Sequence, residues 1–216
     1  MGSDLSVVNA ARVSFAKTSE WDVIPHAGPT EGALKYEDER LIKYLAKHGH
    51  WTPFGHGSLQ FHIKAPVFVA RQLVKHQVGL VWNEVSRRYV EDEVTFYVPE
   101  VWRGVAENKK QGSSEEEINI NPRNDMVDDY QKVLSTAKWT YEELLRKGVC
   151  PEQARMVLPQ SMMTEWYWSG TLMAFARVCN LRCKEDVQLE TRMVAKEIDS
   201  LATEHFPYSW EALRDG

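Results

Sequence analysis

"LQFHIKAPVFVARQLVKHQ", residues 59–77, changes its period halfway along. Leu59, Phe61 and Ile63 alternate with Gln60 and His62, the pattern of a strand buried on one face. Pro66 suits the first turn of a helix, where its fixed φ is already right and its missing N–H is not needed. Val67, Phe68, Ala70, Leu73 and Val74 continue with helical spacing, and the polar stretch Lys75-His76-Gln77 follows directly. A strand running into a helix predicts mixed architecture here, and the flanking sequence extends it.

Toward the N-terminus, "YEDERLIKYLAKHGH" (36–50) has acids at its front, Leu41, Tyr44 and Leu45 on one face, and Gly49 as a stop, so a helix is predicted. Residues 5–15 predict a shorter helix running into Ser14, and 21–36, with two prolines and two glycines, an irregular excursion. Toward the C-terminus, "VTFYV" (94–98) is β-branched and aromatic and predicts a strand ended by Pro99. Residues 102–124 turn polar and predict a surface loop; helices are predicted over 126–147, from Pro151, and over 164–181 and 184–205. No repeat and no Gly, Ser or Pro-rich linker divides the chain. The expectation is one α+β domain over 1–216, dominated by helices with a small antiparallel sheet.

The 216 residues suffice for one sizeable core, and a formal charge of −5 argues against a general nucleic-acid or membrane-surface binder. A local cationic pocket remains compatible with it. No apolar run approaches the roughly 20 residues of a membrane span. The N-terminus lacks a basic-plus-apolar signal, so a cytoplasmic protein is expected. Cys150, Cys179 and Cys183 are odd in number and lack zinc-site spacing, which suits reduced structural thiols.

Chemistry concentrates in "VKHQVGLVWNEVSRRYV" (74–90), where Asn83, Ser86, Arg87 and Arg88 supply donors suited to a phosphate dianion. Glu84 and Arg88 are four apart and would share a helical face as an ordinary ion pair. His48, His50 and His56 crowd one segment, but Pro53 interrupts it and their spacing suits no compact metal site; His50 and Thr52 fit hydrogen bonding to a cofactor, with plain turn structure as the alternative. Arg155 and Arg182 each lie among apolar neighbours, so each either forms a salt bridge or faces an anion or pyrimidine. "TEWYWSG" (164–170) is read as core aromatics at helical spacing, or as a stacking surface for a flat ring. There is no GxGxxG, no P-loop and no CxxC, so any phosphate site is built from side chains and loops.

Six blocks taken in order, DLSVVNAARVSF, LIKYLAKHGHWTPFGH, FHIKAPVFVARQ, NEVSRRY, ARMVLP and NLR, span nearly the whole chain. Together they resemble the flavin-dependent thymidylate synthases. That family's signature is Arg-His-Arg, seven residues, then Ser; here it reads Lys75-His76-Gln77, then eight residues, 78–85, before Ser86. The chain begins about where the family's first strand ends. The resemblance implies a homotetramer with active sites shared between subunits, FAD as cofactor, NADPH as reductant, and conversion of dUMP to dTMP with 5,10-methylenetetrahydrofolate.

By position, the resemblance implies that Gln72, Glu84, Ser86, Arg87 and Arg88 bind the nucleotide, with Ser86 and Arg88 at its phosphate. Arg155 matches a pyrimidine contact. Arg182, with Ser86 the expected catalytic residue, matches the arginine that favours ionised uracil N3 and so enriches C5 in electron density. Ser14, His50, Thr52, Lys75, His76, Gln77 and Val78 match flavin positions, and Arg177 is the polar substitute in "TLMAFAR". Other readings are a flavin and folate enzyme that hydroxymethylates the pyrimidine, a catalytically silent homologue, and a nucleic-acid module using Arg71, Lys75, Arg87 and Arg88.

Overall fold

The computed structural model describes residues 2–23, 32–89, 93–107, 112–118 and 125–214. At its centre is a three-stranded antiparallel sheet of β3 (Ser58–Pro66), β4 (Leu80–Glu84) and β7 (Met163–Thr171) in the order β3-β7-β4. Two small pairs lie outside it, β1 (Asp22–Val23) with β2 (Gly32–Ala33), and β5 (Arg103–Val105) with β6 (Ser113–Glu117). The helices are α1 (Asp4–Arg12), α2 (Tyr36–Lys47), α3 (Val67–Leu73), α4 (Asp125–Arg146), the short α5 (Pro151–Ala154), α6 (Leu172–Arg182), α7 (Leu189–His205) and α8 (Pro207–Arg214). The class is α+β, rich in helix, as expected.

Strand β3 and helix α3 follow the period change in residues 59–77. Leu59, Phe61 and Ile63 are buried while Gln60, His62 and Lys64 face solvent, and Pro66 caps α3 from an extended conformation. The main core lies between this sheet and helices α1, α2, α6, α7 and α8, with Trp166, Trp168, Trp210, Phe54, Phe175 and Phe206 its largest buried side chains. A smaller cluster of Val94, Tyr141 and Ala154 ties α4 and α5 to the segment after β4. Asp4 fastens the two chain ends: the backbone N–H groups of Tyr208 and Ser209, opening α8, donate to its buried carboxylate.

Four local expectations are corrected. Residues 164–171, expected to be helical, are most of β7, the middle strand of the sheet. Thr164, Trp166 and Trp168 are buried and alternate with Glu165, Tyr167 and Ser169, so the tryptophans sit at strand spacing; the helix starts only at Leu172, capped by Thr171 Oγ1 accepting from Ala174 N. Residues 94–98 form no strand beyond a single bridge, Phe96 to Met162. The stretch 102–124 is not loop throughout, since β5 and β6 pair within it; residues 108–111 and 119–124 lie outside the described residues, as do 24–31 of the expected excursion. Glu84 ends a strand and Arg88 lies in the following turn, so they share no helical face.

Candidate active site

A cavity of about 540 Å³ opens beside the C-terminal end of β4 and the start of β7 and is lined by Arg71, Glu84, Arg87, Glu152, Arg155 and Thr164, among others. Each element contributes by its geometry. Strand β4 pairs Glu84 with Trp166, bringing the carboxylate beside Thr164 across the ladder. There Thr164 Oγ1 donates to Glu84 Oε1 at 2.8 Å and Trp82 Nε1 donates to Oε2 at 3.2 Å, so both oxygens are held. Arg155 follows α5, which starts at Pro151 as its sequence predicts, and Arg71 lies on α3.

Just past β4, the Arg88 backbone N–H and Nε both reach Ser86 Oγ at 3.4 Å, and the Arg88 guanidinium lies 3.5 Å from the Glu152 carboxylate and 4.9 Å from the ring centre of Tyr89. The nucleotide candidates Glu84, Ser86, Arg87, Arg88 and Arg155 are thus brought to one end of the sheet. Ser86 and Arg88 meet each other there, at the edge of the cavity and outside its lining.

Gln72 and Arg182 lie elsewhere. They line a second cavity of about 390 Å³ with Lys75, Gly112 and Gln188, and Gln72 Nε2 donates to Gln188 Oε1. A third cavity, about 320 Å³, adjoins it through Lys75 and is lined by His76, Gln77, Val78, Arg177 and Leu181, among others. Adjacent residues of α3, Arg71 and Gln72, therefore face different cavities.

Helix α6 supplies both arginines of this region. Arg182 Nε donates to His76 Nε2 at 3.0 Å, and Arg177 donates to the carbonyl of Val78 at 2.9 Å. Burial, together with the guanidinium charges of Arg182 and Arg177, holds His76 below the ordinary histidine range. The turn after His76 needs Gly79, at φ +78°, and its carbonyl accepts from Thr171 N.

Val78 is 74% exposed and Leu181 47%, an apolar surface rimmed by Lys75, Arg177 and the amide of Gln77. Such a donor set fits a flat ring carrying a phosphate-bearing tail. Ser14, His50 and Thr52 are exposed and line none of these three cavities. Ser14 lies in the 3₁₀ turn Val13–Phe15 after α1, and His50 is edge-on to Tyr44 at 6.1 Å.

Sequence reading missed Thr164 and Trp82, which hold Glu84, and Glu152, which faces Arg88. The alternation Thr-Glu-Trp-Tyr-Trp was the available signal for Thr164, since period two places it on the face of Trp166.

Residues 1–208 match the family described as "Thymidylate synthase complementing protein". The flavin-dependent thymidylate synthase of Thermosipho africanus is 35% identical over 213 residues, 98% of this chain and 86% of that one. The flavin-dependent thymidylate synthase of Thermus thermophilus is 36% identical over 220 residues, 100% of this chain and 73% of that one. Among solved structures, the UMP/dUMP methylase PolB from Streptomyces cacaoi, bound with 5-Br dUMP, superposes with a TM-score of 0.80 at 29% identity, covering 99% of this chain and 91% of that one. The same enzyme bound with 5-Br UMP gives 0.80 at 27% identity, over 99% of this chain and 89% of that one.

Proposed function

The chain belongs to the flavin-dependent thymidylate synthase family, and from that premise we propose that it methylates C5 of dUMP, giving dTMP. In this proposal FAD is the cofactor, 5,10-methylenetetrahydrofolate the one-carbon donor and NADPH the reductant. The observation that carries it is the cavity of Glu84, Arg87 and Arg155, in which a carboxylate anchored at both oxygens faces guanidinium groups beside the Ser86–Arg88 turn. A nucleoside monophosphate matches that surface: guanidinium and hydroxyl donors for the phosphate, and a fixed acceptor for the sugar or base. No helix among the described residues is long and apolar enough to cross a membrane. A cytoplasmic location suits the free thiols and the soluble substrates.

Ser86, Arg87 and Arg88 are assigned to the phosphate, and Glu84, Gln72 and Arg155 to the sugar and pyrimidine. Arg182 is assigned to uracil N3. A fixed cation there lowers the cost of ionising N3, and the displaced charge raises electron density at C5, the atom that forms the new bond. Lys75, His76, Gln77, Val78 and Arg177 would hold the flavin, with Ser14, His50 and Thr52 as further contacts. When bound, the flavin supplies reducing equivalents.

Because Arg155 and Arg182 line separate cavities, one mononucleotide meets both only if two protomers place them together. A homotetramer with shared sites accounts for this.

The test incubates flavin-loaded protein with dUMP, methylenetetrahydrofolate and NADPH and identifies the nucleotide by mass spectrometry. dTMP supports the proposal; 5-hydroxymethyl-dUMP indicates the hydroxymethylating alternative; no product, with colourless protein that takes up no FAD, overturns it. A broader specificity including UMP is favoured by the likeness to the UMP/dUMP methylase, and UMP in a parallel incubation decides it.

A further inference from the structure

The contact between Arg182 and His76 joins two groups to which the family likeness gives separate tasks. Arg182 closes α6, and Cys183 after it is the cap, so its backbone is held at one end only. Its guanidinium is half-buried and donates through Nε to His76 Nε2 at 3.0 Å. An imidazole nitrogen that accepts this hydrogen bond carries no proton, so neutral His76 is the Nδ1–H tautomer. The main chain of His76 is held by its N–H donating to Leu73 O just past α3, and burial keeps the ring partly out of water.

We propose that His76 is the positioning residue for Arg182, a neutral acceptor that aims the guanidinium into the cavity it lines with Gln72 and Lys75 only while its Nε2 is unprotonated. The assignment rests on the dUMP reading above. The charged groups bearing on His76 are Arg182 and Arg177, both cations on α6, with Lys75 preceding it on its own turn. No carboxylate acts on the ring to stabilise an imidazolium among the described residues. Protonation at Nε2 would set an N–H against an N–H, beside a fixed cation. The contact is therefore lost as pH falls through a value below the ordinary histidine range, and Arg182 is released.

Dissociation constants for dUMP are measured by calorimetry on flavin-loaded wild type and on His76→Gln, from neutral pH down past the His76 titration midpoint read by NMR. Glutamine presents an acceptor in place of Nε2 and does not titrate. The nucleotide's own phosphate titrates alike in both proteins and cancels in their ratio. Wild type is expected to weaken about fivefold more than His76→Gln over this interval, the loss of one hydrogen bond.

In parallel, ¹⁵N chemical shifts of the His76 ring are read by NMR without nucleotide. They are expected to show the Nδ1–H tautomer at neutral pH, with a titration midpoint that rises in Arg182→Ala. Equal pH dependence in wild type and His76→Gln, or an Nε2–H tautomer, overturns the assignment even if an effect on folding hides the binding difference. Failure of wild type to bind dUMP at neutral pH overturns the functional reading instead, and the ring shifts still decide the contact.

Discussion

Thr164 Oγ1 donates to Glu84 Oε1 at 2.8 Å across neighbouring strands of the central sheet, so a buried hydroxyl sets the angle of a carboxylate facing the arginine-lined cavity. Replacing Thr164 by Val keeps the shape and removes the donor. The expected cost is about 1 kcal/mol in stability, with a rise in KM for dUMP larger than the fall in kcat. Urea unfolding and steady-state kinetics check both.

Gly170 lies so close to the Gly79 carbonyl and to Leu80 that a Cβ has no room: a methyl group added there would overlap the carbonyl oxygen and come within 3.2 Å of Leu80 Cα. Gly170→Ala must push β4 away from β7 at the turn that carries Val78. Destabilisation of about 1–3 kcal/mol is expected, together with weaker FAD retention. Thermal melts and flavin absorbance after gel filtration measure the two effects.

Glu190 opens α7 and is buried. Burial alone would raise its pKa, but the hydrogen bond and charge of Arg103, 2.6 Å away, together with hydrogen bonds from the Glu190 backbone and Gln188, outweigh this and hold the carboxyl below its usual range. The unfolded chain therefore takes up the proton first. The pair contributes its full stability above the ordinary glutamate pKa and loses it as pH falls through the depressed folded value. Glu190→Gln is expected to flatten the acid limb of a plot of stability against pH, at a cost of about 1–3 kcal/mol at neutral pH. Chemical denaturation across the acid range tests it.

Cys179 is buried and its thiol pKa is pushed far up, first by its hydrogen bond with Cys183 and then by desolvation; the same hydrogen bond lowers Cys183. Iodoacetamide is expected to label exposed Cys150 and half-buried Cys183 well before Cys179. Because Cys183 adjoins Arg182, its labelling should weaken dUMP binding, and labelling of Cys150 should not. Peptide mass spectrometry against time, paired with binding, separates the two.

Much of the fold was legible where one physical signal dominated. The strand-to-helix switch at Pro66, the stop at Gly49 with φ +68°, and the long helix α4 followed from period and backbone preference. The middle strand was not legible by the same means. Strand β7 is covered on one face and paired on both edges, and its aromatic residues suit a helix face as readily as a strand face over so short a window. "VTFYV" had strong strand propensity but found only a one-residue bridge, because pairing is decided by which edge is free.

At the site, residue types were readable and convergence was not. Glu84 is set beside Thr164 by the ladder between β4 and β7, whose register no local pattern encodes, while Arg155 reaches the same cavity from the turn after α5. Arg88 and Ser86 meet because they share a turn, which sequence distance alone made visible.

The indoles of Trp82 and Trp166 are stacked at 4.4 Å, with Trp168 edge-on to Trp82 at 5.5 Å, on the two strands that run between the carboxylate cavity and the Val78 turn. Their ultraviolet emission falls where an oxidised isoalloxazine absorbs. Loading the cofactor should therefore dim the intrinsic fluorescence by energy transfer, and the sheet carries its own optical gauge of occupancy without any added label.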